Sequence, residues 1–148
     1  MHKQKIHNQF LSKIKQSIDI QKTLLKELAE SAANETKSTA GDKYETALAM
    51  LQIEQAQTNK KLDELNFQLT EINQIDVSKV SNKVIIGSLV KTNQGYFYVS
   101  TALGKLLVDD VNVFALSIKS PLGIVLINKI NGDNFTFKNT EYTILEIL

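Results

Sequence analysis

Apolar residues recur at alternating steps of three and four along the first part of the chain: Leu11, Ile14, Ile18, Leu25, Leu28 and Ala32, with Gln21 at the polar step. A second row of the same kind runs Leu48, Leu51, Leu62, Leu65, Leu69 and Ile72, with Gln55 and Thr58 filling its gap. A 3,4 repeat keeps one stripe of a helix turned toward a partner along its whole length. Both stretches therefore predict long helices that meet at a heptad seam. From residue 10 to residue 75 there is no Pro and only one Gly, Gly41, which places a short turn near residues 35–46. A short turn folds the arms back on each other as an antiparallel coiled-coil hairpin. Reflection about residue 40 pairs Leu28 with Leu51, Ile18 with Leu62 and Gln21 with Thr58. The polar seam residues then share one level, and a buried polar layer fixes register at some cost in stability. At ~1.5 Å per residue, arms of about 25–30 residues make a rod roughly 40 Å long.

Beyond residue 80 the period changes. Residues 84–90 (VIIGSLV), 96–101 (YFYVST), 104–108 (GKLLV) and 113–118 (VFALSI) are rich in β-branched and aromatic residues and separated by Gly or Asn, as strands of a meander would be. In SPLGIVLINKINGD, Ser120 fits an N-cap, Pro121 the first helical position, and Asn131-Gly132 the end of the segment, which predicts one short helix. NFTFK and EYTILEIL close the chain as two strands with a tight turn at Asn139-Thr140. The fold class is α+β: a hairpin over residues 1–78, and over 82–148 a small mixed sheet of five or six strands with one helix.

Composition narrows the classes of function. The chain has 148 residues, 43% hydrophobic and 22% charged, in the range of one or two small globular domains. Its formal charge of +1 gives no global attraction to nucleic acid or to an anionic membrane. There is no Cys, which excludes disulfides, thiolate metal sites and cysteine nucleophiles. The N-terminus carries Lys but no continuous apolar stretch, so it reads as neither signal peptide nor membrane span, and the cytoplasm is the expected location. All 17 basic residues are Lys. Anion contacts must then use point charges or backbone N–H groups in place of the planar Arg fork. No Gly-x-Gly-x-x-Gly loop, Walker loop, Ser/His/Asp arrangement or zinc spacing occurs, so an independent enzyme is not expected.

The residues with candidate chemistry are few. In GDKYET, residues 41–46, Asp42 and Glu45 stand three apart where the second helix begins. That is the spacing of a capping box, and a capping acid also keeps lone pairs for a cation, so both readings stand. Lys15, Lys22 and Lys26 form a stripe on the first helix, read either as a solvated face or as an RNA-proximal surface. His2 and His7 lie near an N-terminus expected to fray and receive no function. Phe10, Leu24, Met50, Ile53 and Phe67 lie off the seam as candidates for an exposed apolar stripe.

A long helical hairpin followed by a β-rich domain with SPLG, a helix, NGD and a closing EYTILEI resembles the bacterial Gre-type transcript cleavage factors. The resemblance covers both halves. It is strongest in IIGSLVK (85–91) and in residues 117–147, and Gly41-Asp42-Lys43-Tyr44-Glu45 keeps the family's Gly-Asp-x-x-Glu spacing, followed by the matching Ala47. It implies an FKBP-like C-terminal domain that docks on the rim of the RNA polymerase secondary channel, with Ser120, Pro121 and Leu122 at the docking edge. It implies a hairpin tip inside the channel, where Asp42 and Glu45 help hold the second Mg²⁺ and its attacking water so that a backtracked RNA 3′ end is cleaved. Lys15, Lys22 and Lys26 would then lie near the RNA. The chain would act as a monomer that completes the polymerase's site and holds no cofactor of its own. Lys43-Tyr44 and Thr46 differ from the usual tip sequence, and Ile124 stands where the family usually carries Arg. Two alternatives stay open: a channel-binding regulator or inhibitor that does not stimulate cleavage, and a coiled-coil adapter using its apolar surface.

Overall fold

The computed structural model describes residues 2–38 and 42–148, the side chains of 35–38, 42 and 43 excepted. Its contacts group Lys13–Leu69 as one compact unit and Met1–Ser12 with Thr70–Leu148 as the other, where the sequence suggested a single boundary near residue 80.

The first unit is the helical hairpin, built from α1 (Lys3–Ser38) and α2 (Asp42–Asn73). Every seam position from Leu11 to Ala32 and from Leu48 to Ile72 is buried or half-buried, whereas between residues 51 and 65 every residue off the seam is exposed. The 3,4 pattern therefore names the sheltered stripe position by position. Thr58 is buried, and its Oγ1 donates to the Glu54 carbonyl at 2.8 Å, so the hydroxyl is satisfied within its own helix. Of the five residues proposed as an apolar stripe, Leu24, Met50, Ile53 and Phe67 are exposed. Phe10 is fully buried and belongs to the other unit's core.

That second unit is a six-stranded sheet with a short helix, α3 (Pro121–Leu126). Its strands are β1 (Leu89–Thr92), β2 (Gly95–Val99), β3 (Gly104–Val108), β4 (Val111–Leu116), β5 (Asn134–Phe137) and β6 (Thr140–Ile147), in spatial order β3-β4-β2-β1-β6-β5. It is not a meander. β4 lies parallel to β2, with Phe97 beside Phe114, because the β3–β4 hairpin swings β3 to the edge and brings β4 into the inner place. That hairpin turns at Asp109-Asp110, both with positive φ (50° and 62°), the backbone that matches the twist of a two-residue turn. The β5–β6 turn is Lys138-Asn139 (49° and 64°), one residue earlier than the sequence suggested. The first strand begins five residues later than expected. Gly87 adopts φ 92° within a turn that links Ile85, Ser88 and Val99, so residues 84–88 leave the extended conformation. α3 is also shorter than the segment ending at Asn131-Gly132, since residues 128–130 pair with 83–84 through Val84 N to Lys129 O and Asn128 N to Val84 O.

Alternation along the strands gives the sheet two apolar faces. Val90, Phe97, Val99, Leu116 and Ile144 point to one side, where Leu126 of α3 completes a buried cluster with Val84. Tyr98 and Leu89 point to the other. There the first turns of α1 cover them: the Phe10 ring stacks on Tyr98 with centroids 6.1 Å apart, and His7 Nδ1 lies 2.6 Å from the Tyr98 hydroxyl. Lys3 Nζ donates to the Lys79 carbonyl at 3.0 Å, Lys5 pairs with Asp109 at 2.6 Å, and Thr101 donates to Glu71 at 2.7 Å. His7 is thus 6% exposed and packed, not frayed.

Candidate functional site

At the hairpin tip, α2 begins with Asp42, and Glu45 stands in its first turn with an exposed side chain. A carboxylate there complements the positive end of the helix dipole and leaves its oxygens to solvent. The Asp42 side chain lies outside the described residues. Among the described residues no group of three or more His, Cys, Asp or Glu comes together as a metal site.

Lys15, Lys22 and Lys26 are all exposed. On a helix they share a row with Asp19, which stands four residues after Lys15 and three before Lys22. The acid reduces the charge that the row presents.

Ser120, Pro121 and Leu122 come together with more partners than the sequence suggested. Ser120 has the extended N-cap conformation (φ −70°, ψ 156°). Its Oγ donates to the Ser117 carbonyl at 2.6 Å and accepts from Gly123 N at 3.1 Å. Pro121 starts the helix, where the missing N–H costs nothing. Gly123 packs so closely that an added Cβ would lie 2.0 Å from the Ser117 carbonyl oxygen. Each residue of SPLG thus shapes this corner.

The corner opens on a cavity of about 360 Å³, walled by Phe114, Leu116, Pro121, Leu122 and Phe137 and bounded by Lys138. Gly104 of edge strand β3 lines it together with Phe137 of β5, at the opposite edge of the sheet. The sheet therefore curls until its two margins approach each other on the α3 face. An aromatic row follows the curl. Phe135 stacks on Tyr142 (5.0 Å, 5°), Tyr142 meets Phe97 edge-on (6.0 Å, 62°), and Phe97 meets Phe114 (6.3 Å, 71°). Sequence reasoning found the SPLG side of this cavity and missed Phe114, Phe137 and Lys138. Their only signal was the presence of aromatics in strands, since the curl that joins β3 to β5 has no local signature.

On the opposite face, burial holds the His7 imidazole below its ordinary pKa and pushes the Tyr98 phenol well above its own. The phenol therefore stays protonated and can donate to a neutral imidazole, a structural contact at the root of α1.

No family model and no curated protein matches the chain. Among solved structures, one described as "Structure of the transcription factor Gfh1" is similar over 93% of this chain and 92% of that one, at 18% identity with a TM-score of 0.38. A superposition that loose assigns no role to any residue here.

Proposed function

We propose that this chain is a transcription factor of the Gre type, which binds bacterial RNA polymerase, inserts its hairpin tip into the secondary channel and stimulates cleavage of backtracked RNA. The observation that carries the reading is that Ser120, Pro121 and Leu122, the docking edge suggested by the resemblance, border an open apolar cavity on the β-rich unit. An exposed apolar cavity beside a proline-fixed corner is the kind of surface a protein partner fills. The hairpin supports the same reading, because α1 and α2, 36 and 32 residues long, are long enough to carry a tip deep into a channel.

In this reading Asp42 and Glu45 supply carboxylate oxygens, the ligands Mg²⁺ prefers, to a second ion held mainly by the polymerase. Two metal ions then stabilise the attacking and leaving oxygens of phosphodiester hydrolysis. The chain is a partner of the catalyst and not an enzyme by itself. Lys15, Lys22 and Lys26 offer point charges to the RNA, weakened by Asp19 in the same row. The factor works as a monomer in the cytoplasm.

A purified backtracked elongation complex tests this, with RNA 3′ cleavage timed with and without the protein and with Asp42→Asn/Glu45→Gln. Mg²⁺-dependent stimulation by the wild type, lost in the double variant while binding persists, is the expected result. Binding without stimulation makes the protein a channel-occupying regulator. A second reading, a coiled-coil adapter, draws on the exposed Met50, Ile53 and Phe67 on the outside of α2, and absence of polymerase binding would favour it.

A further inference from the structure

Asn-Gly occurs once in the chain, at Asn131-Gly132, between α3 and β5. Asn is a thermolabile residue, and a following Gly leaves the next backbone nitrogen unshielded by any side chain. In an open chain that nitrogen, once it gives up its proton, attacks the carbonyl carbon of the Asn side chain. An N–C bond forms, ammonia leaves, and the resulting succinimide takes up one water at either carbonyl to give aspartate or isoaspartate. The reaction needs no cofactor and no oxidant. Both residues are exposed, so water reaches the site.

The fold gives this nitrogen another task. Asp133 N–H donates to the Ile130 carbonyl at 3.1 Å and closes a turn in which Gly132 takes φ 92° while Asn131 has no positive φ, the pattern of type II. Gly132 N–H donates to the Ile144 carbonyl at 2.8 Å, and Ile144 N–H donates back to the Asp133 carbonyl at 2.9 Å. Ile144 is fully buried in the core of the sheet. Ile130 N–H donates to Asp133 Oδ2 at 2.9 Å, so the side chain of Asp133 ties the turn from within. The bond at Gly132 keeps the proton on the nucleophile and directs it at β6 instead of at Asn131.

We infer that Asn131 is a latent deamidation site, shut while Gly132 N–H is bonded to Ile144 and reactive when this margin of the sheet opens. Its rate then follows the open fraction of a local equilibrium, as amide hydrogen exchange does. The product is permanent. Isoaspartate adds one methylene to the main chain at position 131, so Gly132 N–H no longer meets the Ile144 carbonyl in the same register. Either product places a new carboxylate beside Asp133. A molecule that reacts there keeps a covalent record of having opened.

The test incubates the full-length chain at one pH and temperature, with and without guanidinium chloride, and follows Asn131 by peptide mapping that separates the aspartate and isoaspartate forms. Deamidation at Asn131 is expected to run at least about tenfold more slowly in the folded chain. Hydrogen exchange at the Gly132 amide supplies a second measurement, and its slowing on folding should match the slowing of deamidation within about threefold. Asp133→Ala removes the side-chain acceptor of Ile130 N–H and leaves the backbone bonds of the turn. It should speed deamidation and Gly132 exchange together in the folded chain, with the rate in denaturant unchanged. Equal rates at Asn131 with and without denaturant, or slow deamidation beside fast exchange at Gly132, overturn the inference. An Asp133→Ala chain that exchanges faster at Gly132 yet deamidates no faster overturns it too.

Discussion

Gly123 is fixed in its role by distance alone: it tolerates no side chain, because the Ser117 carbonyl oxygen already occupies the place of a Cβ. Its conformation is helical, so the reason is space and not backbone freedom. Gly123→Ala should cost about 3 kcal/mol, with a fall in Tm on the order of 10 °C for the β-rich unit. An unchanged melting curve would show that the corner can relax. His7 makes a second residue-level prediction. Burial lowers its folded pKa below the ordinary 6.5, so as pH falls through that value the unfolded chain takes up a proton before the folded one does. The contribution is complete above about pH 6.5 and is lost progressively as pH drops toward the folded pKa. Thermal melts between pH 7.5 and pH 5 should therefore slope downward in the wild type and be flatter in His7→Gln. Equal slopes would remove the imidazole as the cause.

At the scale of elements, the hairpin seam carries three polar positions, Gln21, Gln55 and Thr58, and they are not equivalent. Thr58 satisfies its own hydroxyl through Glu54, so its cost is mainly the apolar contact it fails to make. Gln21 is half-buried on a stripe that is otherwise aliphatic apart from Gln55 and Thr58. Replacing both, as Gln21→Leu/Thr58→Leu, should raise the Tm of the hairpin by several degrees, on the order of 1–2 kcal/mol. Helix ellipticity followed on heating reads this directly, and a lower Tm would mean that these side chains hold the register. The strands differ from the helices in how they were specified. Two of the two-residue turns, Asp109-Asp110 and Lys138-Asn139, take two successive positive-φ residues without a glycine, whereas Asn93-Gln94 between β1 and β2 takes none. Turn position is therefore hard to place within one residue from composition.

For the whole molecule, the first twelve residues matter more than their place in the chain suggests. Ile6, His7 and Phe10 are all buried, and Phe10 and His7 close the sheet face that presents Tyr98. A chain beginning at Lys13 uncovers that face. Loss of Phe10 alone is worth about 3 kcal/mol or more. Such a truncation should abolish the dispersed amide signals of the sheet while the heptad helices keep their ellipticity. A fully dispersed spectrum with an unchanged melt would show that the β-rich unit is complete without the start of α1. The same logic explains the contact between Glu71 and Thr101 and that between Lys3 and Lys79: both ends of the helical pair are built into the β-rich unit.

The sequence by itself determined the elements whose signal is periodic or local. The heptad stripe, the Ser120 cap with Pro121, and a run of five or six strands all follow from side chains a few residues apart, and short-range sterics and hydrogen bonding act over that distance. Asp42 and Glu45 were legible as a spaced pair of acids at a helix start and nothing finer. Tertiary structure alone decided that β4 enters the sheet parallel to β2, that His7 and Phe10 belong to a core, and that Gly104 and Phe137 wall one cavity. These depend on contacts between residues tens of positions apart. Nothing in the local sequence encodes such a meeting, because it is set by how a whole curled sheet buries its two faces.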